Sequence, residues 1–305
     1  MGGSGNGYFR SDPDKIKKKL RDSEANTENQ EHKVRVASIL SDLLANFNDR
    51  DHETIDRHLS EIKTALEKDI DGTMDLLFGG SVAKHTYVDG LSDIDSLVIL
   101  NKTDLADATP NEVKKYFVER LKERFPKTDI HSGKLAVTLN FSGCEIQLLP
   151  AVKSGENLKI ADRNGQDWAR IKPKAFSEKL SAINQNVGRK VVPIIKLAKA
   201  IISNLPEKHQ ISGYHAESIA VKVFKTYSGD LKQKEMIKHY FSEASKLVKG
   251  HIRDNTGQSV HVDDYLGSAN SLERKIVSDA FGRVHRRMKN ADSSGSAAEW
   301  QKLFD

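Results

Sequence analysis

Asp93 and Asp95 flank a single residue at the head of an apolar run, Ile94 to Leu100, that reads as a β-strand. Side chains alternate faces along a strand, so the two carboxylates project to the same side. Such a pair is mutually repulsive unless a cation relieves it. All-oxygen ligation shared with phosphate oxygens suits Mg²⁺. Upstream, Gly80-Ser81 closes a shorter apolar run, Met74 to Phe78. A Gly-Ser at a strand end, opening a helix, offers backbone N–H groups and a hydroxyl where a triphosphate would lie. A lone Asp-x-Asp is more often a solvated turn. The Gly-Ser upstream and the apolar strands on both sides make this one specific.

The elements that must position these residues follow from periodicity. Residues 31–69 carry Val36, Ile39, Leu40, Leu43, Ile55, Leu59, Ile62 and Leu66 at helical spacing, predicting two helices parted near Asn46 to Asp51. Pro110 opens a helix to about Arg124. Alternation over Lys134 to Phe141, a Ser142-Gly143 turn and the run Cys144 to Leu149 predict a hairpin that Pro150 closes. Polar, Gly/Asn-bearing residues 151–173 read as a loop or crossover. Beyond them the pattern is helical, at about 174–185, 187–204, 212–228, 232–249 and 270–290. The expected fold class is α+β: a mixed sheet lobe with N-terminal helices, then a helical bundle, with a cleft between. The expected divisions are a flexible segment over 1–30, a catalytic core over 31–173 and a helical lobe over 174–305.

Composition excludes several classes. At 305 residues the chain can build one large or two modest cores. No apolar run approaches the roughly 20 residues of a membrane span, and the Gly/Ser/Asn-rich start lacks the apolar stretch of a secretory signal. The single cysteine, Cys144, precludes an internal disulfide or a Cys-rich zinc site and suits a reducing cytoplasm. The 11 histidines stand singly, without the i, i+4 spacing of a helical metal site. A net charge of +5 suits polyphosphate or nucleic-acid ligands, and equally a merely soluble surface. The basic stretch Asp14 to Arg21 reads as a solvated N-terminal segment or a nucleic-acid contact.

The spacing Gly80-Ser81-x₁₁-Asp93-x-Asp95 resembles the signature of polymerase β-type nucleotidyltransferases. The chain from about residue 30 onward is similar to the bacterial cGAS/DncV-like nucleotidyltransferases (CD-NTases) of CBASS antiphage systems. The likeness extends to the stretches 145–151, 191–199, 211–217 and Trp300 to Phe304. The resemblance implies a two-lobed polymerase β-type fold and two Mg²⁺ ions, for which Mn²⁺ can substitute, on three carboxylates. Asp93 and Asp95 match the first two. Many relatives place the third acid three residues before the proline, where this chain has Gln147, so Glu145, two residues earlier on the same strand face, takes the assignment. Lys196 matches a lysine that relatives use on the triphosphate, with Lys199 competing for the role. Ser212 and Tyr214 resemble a phosphate-contacting, base-stacking Ser-Tyr pair, but Gly213 separates them, and Tyr214 as a packed helix-start aromatic is the equal alternative. Trp168 either shapes the nucleotide pocket or belongs to the core.

The implied activity is synthesis of a cyclic di- or trinucleotide second messenger from ATP and other nucleoside triphosphates. The implied partners are a regulatory protein or RNA activator and a downstream effector that binds the product. Two other readings stand beside it. One is a transferase acting on linear oligonucleotides, RNA or a small molecule, although no RNA-binding module is present. The other is a catalytically inactive nucleotide or RNA sensor, whose support is the Glu145/Gln147 irregularity.

Overall fold

The computed structural model describes residues 13–47, 52–68, 73–78, 94–101, 103–105, 107–141, 144–154, 157–162, 164–171, 173–253 and 262–305. Two helices come first, α1 (Pro13–Asn46) and α2 (His52–Glu67), split where the sequence places the break. Strands β1 (Thr73–Phe78) and β2 (Ile94–Asn101) follow, then α3 (Pro110–Arg124). The remaining strands are β3 (Asp129–Ser132), β4 (Val137–Phe141), β5 (Cys144–Ser154), β6 (Asn157–Ala161) and β7 (Trp168–Ile171). The helical portion comprises α4 (Pro173–Asn186), α5 (Val191–Ser203), α6 (Gly213–Phe224), α7 (Gln233–Leu247), α8 (Leu272–Ser293) and α9 (Ala297–Gln301).

The seven strands form one mixed sheet in the order β1-β2-β5-β4-β3, with β6 pairing β5 and β7 pairing β6. Only β2 and β5 run parallel; the other pairs are antiparallel. Helices α2 and α3 back one face. Val98, Leu100, Ile146 and Leu148 meet Ile62 and Leu66 of α2 and Val113, Phe117 and Leu121 of α3 in one core. Helix α3 starts sharply because Thr109 and Glu112 form a reciprocal capping box and Pro110 needs no N–H partner in the first turn.

Two sequence expectations are corrected. Strand β5 does not stop at Pro150 but runs on to Ser154. On the side away from β2, pairing with β4 ends at Leu148 and pairing with β6 begins at Ala151. A residue without an N–H therefore stands in the gap between two ladders, where a strand tolerates proline. The stretch 151–173, read as a loop, holds the β6–β7 hairpin. Its turn is made by the Asp162 carboxylate, which accepts the Gln166 and Asp167 N–H groups. Gly165 takes φ +75°, with the Lys134 carbonyl 2.7 Å from where a Cβ would stand. Trp168 packs against the helix-backed core and donates its indole N–H to the Ala108 carbonyl at 2.8 Å.

The second core is helical and centres on α5, whose Val191, Ile194, Ile195, Leu197 and Ala198 are fully buried. Val36 and Leu40 of α1 join it, although the sequence division groups residues 31–46 with the sheet. Asp292 ties this arrangement: it accepts from Lys234 and Lys238 of α7 and from the Trp300 indole at 3.0 Å, and lies 3.1 Å from His32 Nε2 on α1.

Candidate active site

The parallel register sets Asp95 beside Gln147 and Ile94 beside Ile146. Neighbours in a parallel pair share a face, and the faces alternate along each strand. Ile146 and Leu148 enter the helix-backed core, whereas Leu97, Ile99 and Ala151 form a small cluster on the opposite face. Position 95 falls in the alternation with Leu97 and Ile99, and Glu145 and Gln147 fall with Ala151. The amide of Gln147 donates to Glu145 Oε1 at 2.9 Å, holding the carboxylate one pleat nearer the strand start. Across β4, Glu145 is level with Asn140, whose amide donates to Asp129 Oδ2 on β3 at 2.7 Å. A polar row thus crosses the sheet on the face that α2 and α3 do not cover. Asp93, Gly80 and Ser81 lie outside the described residues.

The register brings a carboxylate at 145 and an amide oxygen at 147 to the strand that carries Asp95. This is an all-oxygen donor set, which hard divalent cations such as Mg²⁺ take and zinc sites rarely use. The donor set fits the expected metal.

On the helical side, Lys196 of α5 is buried. Lys199, one turn on, forms an ion pair with the buried Glu217 of α6 at 2.8 Å. Ser212 is the N-cap of α6, its hydroxyl accepting the His215 N–H at 3.2 Å. Lys199 passes close to the backbone here: a Cβ on Gly213 would stand 3.3 Å from its Cε. The Tyr214 ring packs on Phe176 with centroids 4.9 Å apart, at the border of the helical core.

Sequence reading missed the network behind Ser212. Tyr265 Oη accepts the Ser212 N–H at 3.0 Å and lies 2.9 Å from His215 Nδ1. His215 and Asp263 are both fully buried, with Nε2 and Oδ2 3.9 Å apart. Burial above all, with the Arg274 charge adding and Asp263 opposing, pushes the His215 pKa down to about 4. The imidazole is therefore neutral. Its Nδ1 shares a hydrogen bond with the Tyr265 hydroxyl. Arg274, also fully buried, bonds Asp263 Oδ2 at 2.7 Å and His251 Nδ1 at 2.9 Å. His251, Asp263 and Asp264 have ligand atoms within 4.8 Å of one another, the spacing of a cation site. The Arg274 guanidinium already supplies the positive charge on two of the three. No local pattern foretells this cluster, because its members come from α6, α8 and the segment between α7 and α8.

A helix-backed mixed sheet with one parallel strand pair, and a separate helical core, accord with the polymerase β-type nucleotidyltransferase fold. The profile of the Second Messenger Oligonucleotide or Dinucleotide Synthetase (SMODS) domain matches residues 32–184, half of the chain. The chain belongs to this family of CD-NTases. Solved structures agree in fold. A complex of E. coli MS115-1 CdnC with ATP aligns over 88% of this chain and 96% of that one, at 17% identity and a TM-score of 0.66. The same CdnC bound to a HORMA protein aligns over 90% and 98%, at 18% identity and 0.66. Vibrio cholerae DncV with ATP, GTP and 5MTHFGLU2 aligns over 97% and 90%, at 12% identity and 0.62. A search of curated protein sequences returned no match.

Proposed function

We propose that this chain is a Mg²⁺-dependent cyclic oligonucleotide synthase that joins nucleoside triphosphates, ATP foremost, into a cyclic di- or trinucleotide. The observation that carries the reading is the β2–β5 register, which sets Glu145 on the same sheet face as position 95. Asp93, Asp95 and Glu145 would hold the metal ions, which when bound stabilise charge on the attacking and leaving oxygens. Each transfer forms a bond from an acceptor ribose hydroxyl to an α-phosphorus and breaks the bond to pyrophosphate. The Gln147 amide, which donates to Glu145 Oε1 at 2.9 Å, would orient that carboxylate for its part. Gly80 and Ser81 would cradle the triphosphate, and Lys196 and Ser212 would meet it from the helical side. Tyr214 would support the base end from its seat on Phe176.

Relatives bound to ATP and GTP support nucleotide substrates, and the CdnC–HORMA complex supports a protein regulator. The product would act in bacterial antiphage signalling in the cytoplasm by binding an effector. No described helix is long and apolar enough to cross a membrane.

The test is incubation of the protein with labelled nucleoside triphosphates and Mg²⁺, followed by phosphatase treatment and mass analysis. A phosphatase-resistant product is expected. It should disappear in Asp93→Asn/Asp95→Asn and fall about a hundredfold in Glu145→Gln, the scale of losing one preorganised group at a reacting centre. Linear chains alone would replace cyclisation with tailing. Full activity in Glu145→Gln would move the third acid elsewhere.

A further inference from the structure

Helices α7 and α8 carry no candidate active-site residue and lie antiparallel. At one end the Ser278 hydroxyl donates to the Ser245 carbonyl at 2.6 Å, and at the other Lys238 meets Asp292. From Arg283 to Lys289, α8 holds Arg283, Arg286, Arg287 and Lys289 and no acid. All four are exposed, and among the described residues no carboxylate lies within ion-pair distance of them. The next acid along the helix, Asp292, is engaged by Lys234 and Lys238 of α7. The field of this face is felt at the half-buried His285. Its pKa is held below the ordinary histidine value by burial first, then by the charges of Lys289, Lys238, Lys246 and Arg286. Among the described exposed large apolar side chains, only Leu272 belongs to these two helices, about three turns before Arg283.

We propose that the α7–α8 face is a docking surface for double-helical nucleic acid, held through its phosphates. A protein partner would want an aromatic or aliphatic anchor at the centre of the interface, and the cationic stretch offers none. A single strand would want aromatic platforms for its unstacked bases, which are equally lacking there. Three of the four cations are arginines, whose forked guanidinium matches phosphate oxygens two at a time. The spacing also fits. Arg283 to Lys289 spans about 9 Å of helix, and a duplex presents one charge per about 1.7 Å of its axis, so about five phosphate charges face four cations. Recognition of this kind reads backbone and not bases.

The experiment follows the fluorescence anisotropy of two short labelled DNA duplexes of unrelated sequence, titrated with the full chain between about 50 and 200 mM NaCl. Both duplexes should bind alike, and log K should fall against log salt with a slope of about −3 to −4, the counterions of four phosphates. In Arg283→Gln/Arg286→Gln/Lys289→Gln the slope should flatten by about 3 and affinity at low salt should drop at least about tenfold. Lys115→Gln/Lys122→Gln/Lys208→Gln removes the same charge from exposed positions on other elements and should stay within about threefold of wild type. Failure of the wild type to bind overturns the proposal, as do equal losses in the two triple variants, which would make net charge the cause. A single strand bound more tightly than the duplex overturns it too. Labelled poly-L-glutamate bound as tightly as the duplex would assign the face to an acidic protein and has the same consequence. Nucleotidyl transfer is not the readout, so each outcome leaves the proposed activity where it stands.

Discussion

Replacing Arg274 with methionine keeps most of the side-chain volume and removes the charge at the centre of the helical lobe. The guanidinium donates to the carbonyls of Gly267 and Ser268 at 3.1 Å, Val248 at 3.1 Å, Gly250 at 2.8 Å and Asp263 at 3.0 Å. It also pairs with the Asp263 carboxylate at 2.7 Å, with both side chains fully buried. Methionine would strand that carboxylate, and breaking a buried pair from one side costs about 3–5 kcal/mol. At roughly 2–4 °C per kcal/mol for a chain of this class, the melting temperature should fall by about 10 °C. Asp263 also sets a pH signature. Burial alone would raise its pKa, but the Arg274 bond and charge outweigh burial and hold it below the usual carboxylate value. Its contribution is therefore present above the ordinary carboxylate pKa and lost as pH falls through the lowered one. The gap between wild type and Arg274→Met should be widest near neutrality and narrow in acid. Adding Asp263→Asn to Arg274→Met neutralises the stranded charge and should recover part of the loss. Thermal denaturation followed by circular dichroism reads all three proteins. A melting temperature for Arg274→Met within about 2 °C of wild type would refute the reasoning, because so small a shift is under 1 kcal/mol. So would a double variant no more stable than the single one.

The hub at Asp292 responds in the same sense. Burial raises its pKa, but hydrogen bonds from Lys238, Lys234 and His32 outweigh burial and bring it to about 2. Asp292→Asn should therefore cost about 2 kcal/mol at pH 7, a deficit that closes as pH falls from 4 toward 2, as chemical denaturation across that range will show. In Thr109→Ala, loss of the α3 capping box should cost about 1 kcal/mol. Urea denaturation should show the midpoint move without a change in slope.

The strands that carry the acids were legible because their apolar runs are bounded by turn residues, and α3 because Thr109, Pro110 and Glu112 spell its start. The continuation of β5 past Pro150 was hidden, since a proline that ends one ladder also stands where the next begins. The β6–β7 hairpin was hidden by its brevity, with strands of five and four residues set among the polar and glycine residues around them, although Leu158, Ile160, Ala161, Trp168, Ala169 and Ile171 are apolar. At the site, alternation is a local rule, so Asp93 could be set on one face with Asp95, and Glu145 with Gln147, from sequence; the register that brings β5 beside β2 joins strands about fifty residues apart and is not local. The pairing of Lys199 with Glu217, and the Tyr265 to Arg274 chain, depend on contacts between helices distant in sequence. Periodicity says which face of a helix is buried, not which helix it meets.

The placement of α1 bears on how the molecule is made. Its Val36 and Leu40 share a core with Met288, Trp300 and Leu303, while residues 52–171, lying between in sequence, build the other core. The sheet lobe is thus an insertion within the helical lobe. A chain emerging from the ribosome has every strand of the sheet as soon as Ile171 is clear, and that lobe can close first. The apolar face of α1 must wait until α5 and α7 follow to cover it, and is completed only when α9 is synthesised. Any truncation that removes α8 and α9 takes away Asp292 and Trp300 as well as the end of the chain, and with them part of the seat of its first helix.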